Sequence, residues 1–268
     1  ELKGKSERVP AYRLLDVRAA AGAADLGDGP GAARPFVGRA AELARLTEAL
    51  DEVEDFRACR VRVVVGDAGV GKSRLVREFR GRVGERARVL RGRCLPYGDG
   101  ITFWPLVEVV REAALIEPDD APAEAIAKIA ALVGGEGRES EEGAGIVERV
   151  AAAIGLSTAR FPVAELFWGA RKLLESLAHN KPLVLAIDDI HSAEPTFLEF
   201  LDHLVESVRG APIFVAASAR LELQEAHGEW WDAQAANRII LRPLGEEESG
   251  KVIETLLPDG EVDDGVRA

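Results

Sequence analysis

The chain has 268 residues, 47% of them hydrophobic, and carries 46 acidic against 34 basic side chains for a formal net charge of −12. That length allows one large domain or a domain with appendages, and the acidity argues against nucleic acid as a partner of this segment. Two cysteines and four scattered histidines show no metal-ligand spacing, and no apolar run reaches the ~18 residues that would span a membrane.

The sequence starts at Glu1 and holds no methionine, so it is expected to be a piece of a longer protein. With no signal peptide, the sparse cysteines fit a reducing cytoplasm. Residues 1–17 form a short piece set off by 18–34, "RAAAGAADLGDGPGAAR", whose small residues read as a flexible linker. Residues 35–244 are expected to form the main body. Within it a helix over 39–50 presents Leu43, Leu46 and Leu50 on one face. The strand "RVRVVV" (60–65) leads into a glycine-rich loop and a helix from Lys72 to Arg80. A strand over 87–93 follows, then helices at 103–115 and 121–133, and the turn Tyr97–Trp104 between strand and helix is read as aromatic packing. Residues 134–145, "GGEGRESEEGAG", are read as a surface loop, with helices again at 146–155 and 160–178. The strand "PLVLAIDD" (182–189) precedes a helix over 194–208. The strand "PIFVAAS" (212–218) and a final strand in "NRIILRPL" complete the set, and residues 245–268 begin a helical lid. Strands rich in β-branched residues alternating with helices predict an α/β fold, a parallel sheet with helices on both faces. Ligands of such sheets bind at the carboxyl ends of the strands.

Two motifs lie at such ends. "GDAGVGKS", Gly66–Asp67–Ala68–Gly69–Val70–Gly71–Lys72–Ser73, has the spacing of a phosphate-binding P-loop, or Walker A element. Its glycines let the backbone curl until successive amides face inward, and the next helix adds its N-terminus, with Arg74 in that first turn. Lys72 is expected to reach the β- and γ-phosphates and Ser73 to hold Mg²⁺. "LVLAIDD" has the Walker B form: Asp188 would hold Mg²⁺ through water and Asp189 would orient the attacking water. At the end of "FVAASAR", Ser218 or Arg220 could sense a γ-phosphate, and a planar guanidinium suits that task. On position alone Arg220 is equally a surface residue. Asn180–Lys181–Pro182–Leu183 lacks the Asp of a guanine-reading element, so adenine, as ATP or ADP, is favoured. His191 reads as structural and Trp230–Trp231 as a packing or interface patch.

"PFVGRAAELARL", "VVVGDAGVGKSRLVREF", "LVLAIDDIHSAEPTFLEFLDHL", "FVAASAR" and "IILRPLGEEES", in this order, resemble the STAND class of AAA+-related ATPases, signalling switches of large bacterial regulators. The resemblance implies that Val37, Gly38 and Arg39 lie near the adenosine, that Arg220 is a sensor arginine, and that Pro243 marks the approach to the lid near the base. Where the family often has an aromatic after the Walker B histidine, this chain has Ser192. Residues 1–17, with Leu2–Lys3–Gly4 and Val9–Pro10–Ala11–Tyr12–Arg13–Leu14–Leu15, resemble the last strands of class III adenylate/guanylate cyclase domains. The resemblance implies a slow, Mg²⁺-dependent ATPase acting on other domains of its own polypeptide, with a nucleotide-dependent oligomer as one outcome. Two alternatives stand beside it: a nucleotide-holding scaffold with little turnover, and a ring-forming AAA+ remodelling motor. Motors generally carry Glu where this chain has Asp189.

Overall fold

The computed structural model describes residues 36–96, 102–133 and 140–256. The expected N-terminal remnant (1–17) and linker (18–34) lie outside these, as do residues 97–101 of the aromatic turn, 134–139 and the tail after 256. Five strands, β1 (Cys59–Val65), β2 (Arg88–Arg93), β3 (Leu183–Asp188), β4 (Ile213–Ala219) and β5 (Arg238–Ile240), pair in parallel. Their order is β2-β3-β4-β1-β5. Around them lie α1 (Ala40–Phe56), α2 (Lys72–Val83), α3 (Trp104–Ala114), α4 (Pro122–Leu132), α5 (Glu141–Ala153), α6 (Val163–Leu177), α7 (Pro195–Ser207), α8 (Glu222–Ala226), α9 (Gly228–Ala233) and α10 (Glu246–Leu256). Residues Phe36–Ser249 make one compact unit, and 250–268 cluster with 1–35 in a second. Of that second unit only the rest of α10 falls among the described residues.

Alternation along the strands divides the core into two layers. On one face Cys59, Val61, Val63 and Val65 of β1 meet α3 to α7 and Trp231. On the other, Val64 of β1, Val184 and Ala186 of β3 and Phe214 of β4 are covered by α1 and α2. Leu43, Leu46, Leu50 and Val53 supply the α1 stripe, and Phe79 of α2 meets Phe214 edge-on at 5.6 Å. The interior strands are nearly continuous apolar runs because helices seal both faces. Arg60 and Arg62 interrupt β1, half-buried, and both pair with Glu52 of α1 at 3.6 and 3.3 Å.

Edge strand β2 has α3 lying along it. The Arg91 and Arg93 amides donate outward to the Glu112 and Glu108 carboxylates of α3, at 2.7 and 2.6 Å. A Cβ on Gly92 would come within 2.6 Å of the Pro105 carbonyl, so glycine lets α3 approach this closely.

Two local readings change. Residues 141–145, expected in a loop, open α5: the Gly143 amide donates to Ser140 Oγ at 3.0 Å and Glu141 and Glu142 fill the first turn. A serine cap with acidic followers outweighs the glycine count there. The stretch between β4 and β5 holds two short helices, α8 and α9, that the sequence did not announce. Trp231 is buried with Arg238 stacked 3.9 Å from its ring, and Trp230 donates to Asp202 at 3.0 Å. The tryptophan pair therefore packs inside the unit.

Candidate nucleotide site

The loop begins where β1 runs out at Val65 and closes where α2 starts at Lys72. Gly69 and Gly71 hold φ of +81° and +102°, a region L side chains avoid, and a Cβ on either would meet nothing within 4 Å. The glycines here serve backbone curvature on an open face. Gly66 serves close approach: a Cβ there would come within 2.8 Å of the Leu241 carbonyl. The Lys72 ammonium donates to the carbonyls of Gly66 and Asp67, both at 2.8 Å. Its pKa is lowered, first by burial and then by Arg220, while Asp189, Asp67 and Glu222 oppose the shift. The loop thus tethers its own lysine over the curl of backbone it would share with a phosphate.

Parallel pairing sets the ends of β3 and β4 beside this loop. Ser218 of β4, 2% exposed, joins the two carboxylates. Its hydroxyl donates to Asp188 Oδ1 at 2.8 Å and accepts from the Asp189 amide at 3.2 Å. Ser218, which the sequence offers beside Arg220 at this strand end, thus links the two carboxylates in the free protein. Asp189 sits in the left-handed region at φ +58°, a conformation that Asp tolerates better than most residues. Its Oδ2 accepts from Nε and Nη2 of Arg93 at 3.1 and 2.9 Å. His191 Nδ1 lies 4.0 Å from the other oxygen, and burial first, then Arg220 and Lys72, lower the His191 pKa against the pull of Asp189 and Glu222. Lys72, Asp189, His191, Arg220 and Glu222 therefore share one electrostatic neighbourhood.

The remaining candidates divide. Ser73 is exposed in the first turn of α2 and Arg74 is half-buried, pairing with Glu78 at 3.6 Å. Arg220 is exposed just past β4. Val37 is half-buried and Gly38 exposed, with φ +73°. Pro243 is exposed in the linker after β5. Arg39, by contrast, is buried, and its guanidinium donates to the carbonyls of Val70 and Arg242 and to Glu42. Arg93 was not foreseen. An arginine at the end of an edge strand carries no sequence signal for a carboxylate partner 96 residues away.

A glycine-bent loop leading into a helix N-terminus, with a lysine tethered over it, suits a polyphosphate. Asp188 takes the Ser218 hydroxyl on Oδ1 alone, and its other carboxylate oxygen is of the kind that holds a hydrated cation, so these residues fit a nucleotide polyphosphate with Mg²⁺. Among the described residues no helix is long and apolar enough to cross a membrane.

The chain is 29% identical over 231 residues to an uncharacterized protein of Rhizobium meliloti (strain 1021), covering 84% of this chain and 22% of that protein. It is similar in structure to Cdc6p of Pyrobaculum aerophilum (13% identity, TM-score 0.49, 88% of this chain and 53% of that one). It is also similar to ORC1 of Aeropyrum pernix, solved with DNA (15% identity, TM-score 0.46, 84% and 50%). The chain thus spans about a fifth of the curated relative and about half of these solved chains. The family model for the AAA ATPase domain matches residues 35–216, a span holding α1, the phosphate loop, both carboxylates and most of β4, and the chain belongs to that family.

Proposed function

We propose that this chain is the ATP-binding switch module of a STAND-class regulator, hydrolysing ATP slowly so that its ATP and ADP states set the output of attached domains. On this reading residues 35–244 are the ATPase core, 245–268 begin the lid, and 1–17 are the tail of a cyclase-like domain reached through the linker at 18–34. A curated relative several times longer than this chain supports a module within a multidomain polypeptide.

Each residue then has a role. The loop amides other than those of Gly66 and Val70, which donate to the Ala219 and Asp67 carbonyls, cradle phosphate oxygens with the N-terminus of α2, and Lys72 swings from its loop carbonyls to neutralise them. Ser73 and Asp188 hold Mg²⁺, which when bound offsets the charge on the phosphoryl oxygens. Ser218 fixes the Asp188 carboxylate and the Asp189 backbone as one unit. Asp189 orients the attacking water, and Arg220 reads the terminal phosphate from the end of β4.

The observation that carries slow turnover is the state of Asp189. Its carboxylate is one methylene shorter than the glutamate of motors, and one of its oxygens takes two hydrogen bonds from Arg93. A shortfall of about 1 Å at the reacting atoms costs on the order of a hundredfold. The test is to identify nucleotide released from the purified, denatured protein and then to measure single-turnover ATP hydrolysis. Retained adenine nucleotide with a rate well below the ~1–10³ s⁻¹ typical of enzymes supports the switch. Retention without measurable hydrolysis would make the module a scaffold, and no retention of either nucleotide would sink the reading.

A further inference from the structure

Arg39 caps α1 and is 9% exposed. Its Nη2 donates to the Val70 carbonyl at 3.3 Å and to the Arg242 carbonyl at 2.5 Å, while Nη1 meets Glu42 at 3.1 Å. The two carbonyls belong to segments 31 and 203 residues away in the chain. One is in the phosphate loop and the other in the linker that carries β5 into α10. Burying a guanidinium is costly unless its donors are met, and its rigid fork fixes the spacing of the groups it grips. The same linker touches the loop at its other end, where the Leu241 carbonyl presses on Gly66 and the Leu241 amide donates to Val65 at 2.7 Å. Glu248, in the first turn of α10, accepts from the Gly245 amide at 3.1 Å. Its carboxylate lies over Gly38, where a Cβ would come within 2.5 Å of it.

We propose that Arg39 is a positioning residue that couples the phosphate loop to the approach to the lid, so that Val70 and residues 241–249 move as one body. In the free protein the guanidinium is spent on protein carbonyls, a task that stands beside the position near the adenosine that resemblance implies for it. Any shift of Val70 as phosphates engage the loop amides reaches Arg242 through a single planar group. This deepens the switch reading and rests on it for the ligand, while the strut itself is a property of the free protein.

Hydrogen–deuterium exchange on the whole chain tests it, using wild type, Arg39→Ala and Arg39→Lys, each with and without ADP. Without nucleotide, Arg39→Ala is expected to speed exchange across 241–249 by about tenfold, the factor for one hydrogen bond to a charged donor. Amides of β3 should be unaffected. Arg39→Lys, one point charge for two carbonyls, should fall between the two and serves as the test should the alanine variant fail to fold. With ADP, wild type should gain protection in both 66–73 and 241–249, and Arg39→Ala in 66–73 only. Exchange at 241–249 that is alike in all three proteins without nucleotide overturns the strut, and so does equal ADP protection there in wild type and Arg39→Ala. If ADP protects neither segment of the wild type, the nucleotide reading fails while the nucleotide-free comparison still decides the role of Arg39.

Discussion

Asp188 and Asp189 are adjacent, yet their surroundings differ, and the proposed reading gives them different work. Asp188 is fixed through Ser218, and Asp189 is turned by a left-handed backbone toward Arg93. Asp188→Asn is expected to lose Mg²⁺-dependent ATP affinity first. Asp189→Asn should keep ATP and Mg²⁺ but hydrolyse more slowly than the parent. Mg²⁺ titrations and single-turnover assays on both variants check this, and identical failure of the two would refute the division. Arg93→Ala should act oppositely. The pair is exposed, with Arg93 63% accessible, so its loss should shift stability by under about 1 kcal/mol. Freeing Asp189 from an interaction of that size should raise the single-turnover rate by up to about fivefold. A slower Arg93→Ala enzyme would show that Arg93 assists the reaction. Lys72→Ala should abolish most ATP affinity in equilibrium dialysis. Because Lys72 also ties Gly66 to Asp67, the free loop should loosen as well.

At the scale of elements, the strands and the P-loop were legible because each was announced twice, by an apolar β-branched run and by the turn chemistry after it. The short α8 and α9 were not, since five or six residues give no period to read. The onset of α5 was hidden by glycines that a serine cap overrides. Side-chain partnerships across the sheet, Arg93 with Asp189 and Ser218 with Asp188, were illegible for another reason: only strand order puts them together. The pairing of β2 amides with carboxylates of α3 carried no sequence signal either, although the two elements are neighbours in the chain. Outward amides of an edge strand template pairing with another chain, and Glu108 and Glu112 occupy them here. Replacing both with alanine is expected to produce concentration-dependent self-association in light scattering. Replacing both with glutamine, which keeps an acceptor, should not. Equal behaviour of the two doubles would show that charge rather than edge capping keeps the chains apart.

For the molecule as a whole, the two-layer core leaves both thiols without solvent. Burial pushes Cys59 and Cys94 up to about 12. The unfolded chain loses these protons near pH 9 and the folded one does not, so the contribution is complete below pH 9 and disappears by about pH 12. Denaturant titrations should show stability falling across that window, less steeply in a Cys59→Ala, Cys94→Ala double variant, and a thiol reagent at pH 8 should label neither cysteine before unfolding. The junction of Leu241 with Gly66 has a consequence in time. β5 pairs with β1 across some 175 residues of intervening chain, and closing so long a loop is slow and entropically costly. During synthesis, β1 through β3 have been made about 50 residues before the segment that abuts the phosphate loop exists. A chain halted before residue 238 therefore carries the whole Gly66–Ser73 loop without Leu241 to close against Gly66 and Val65.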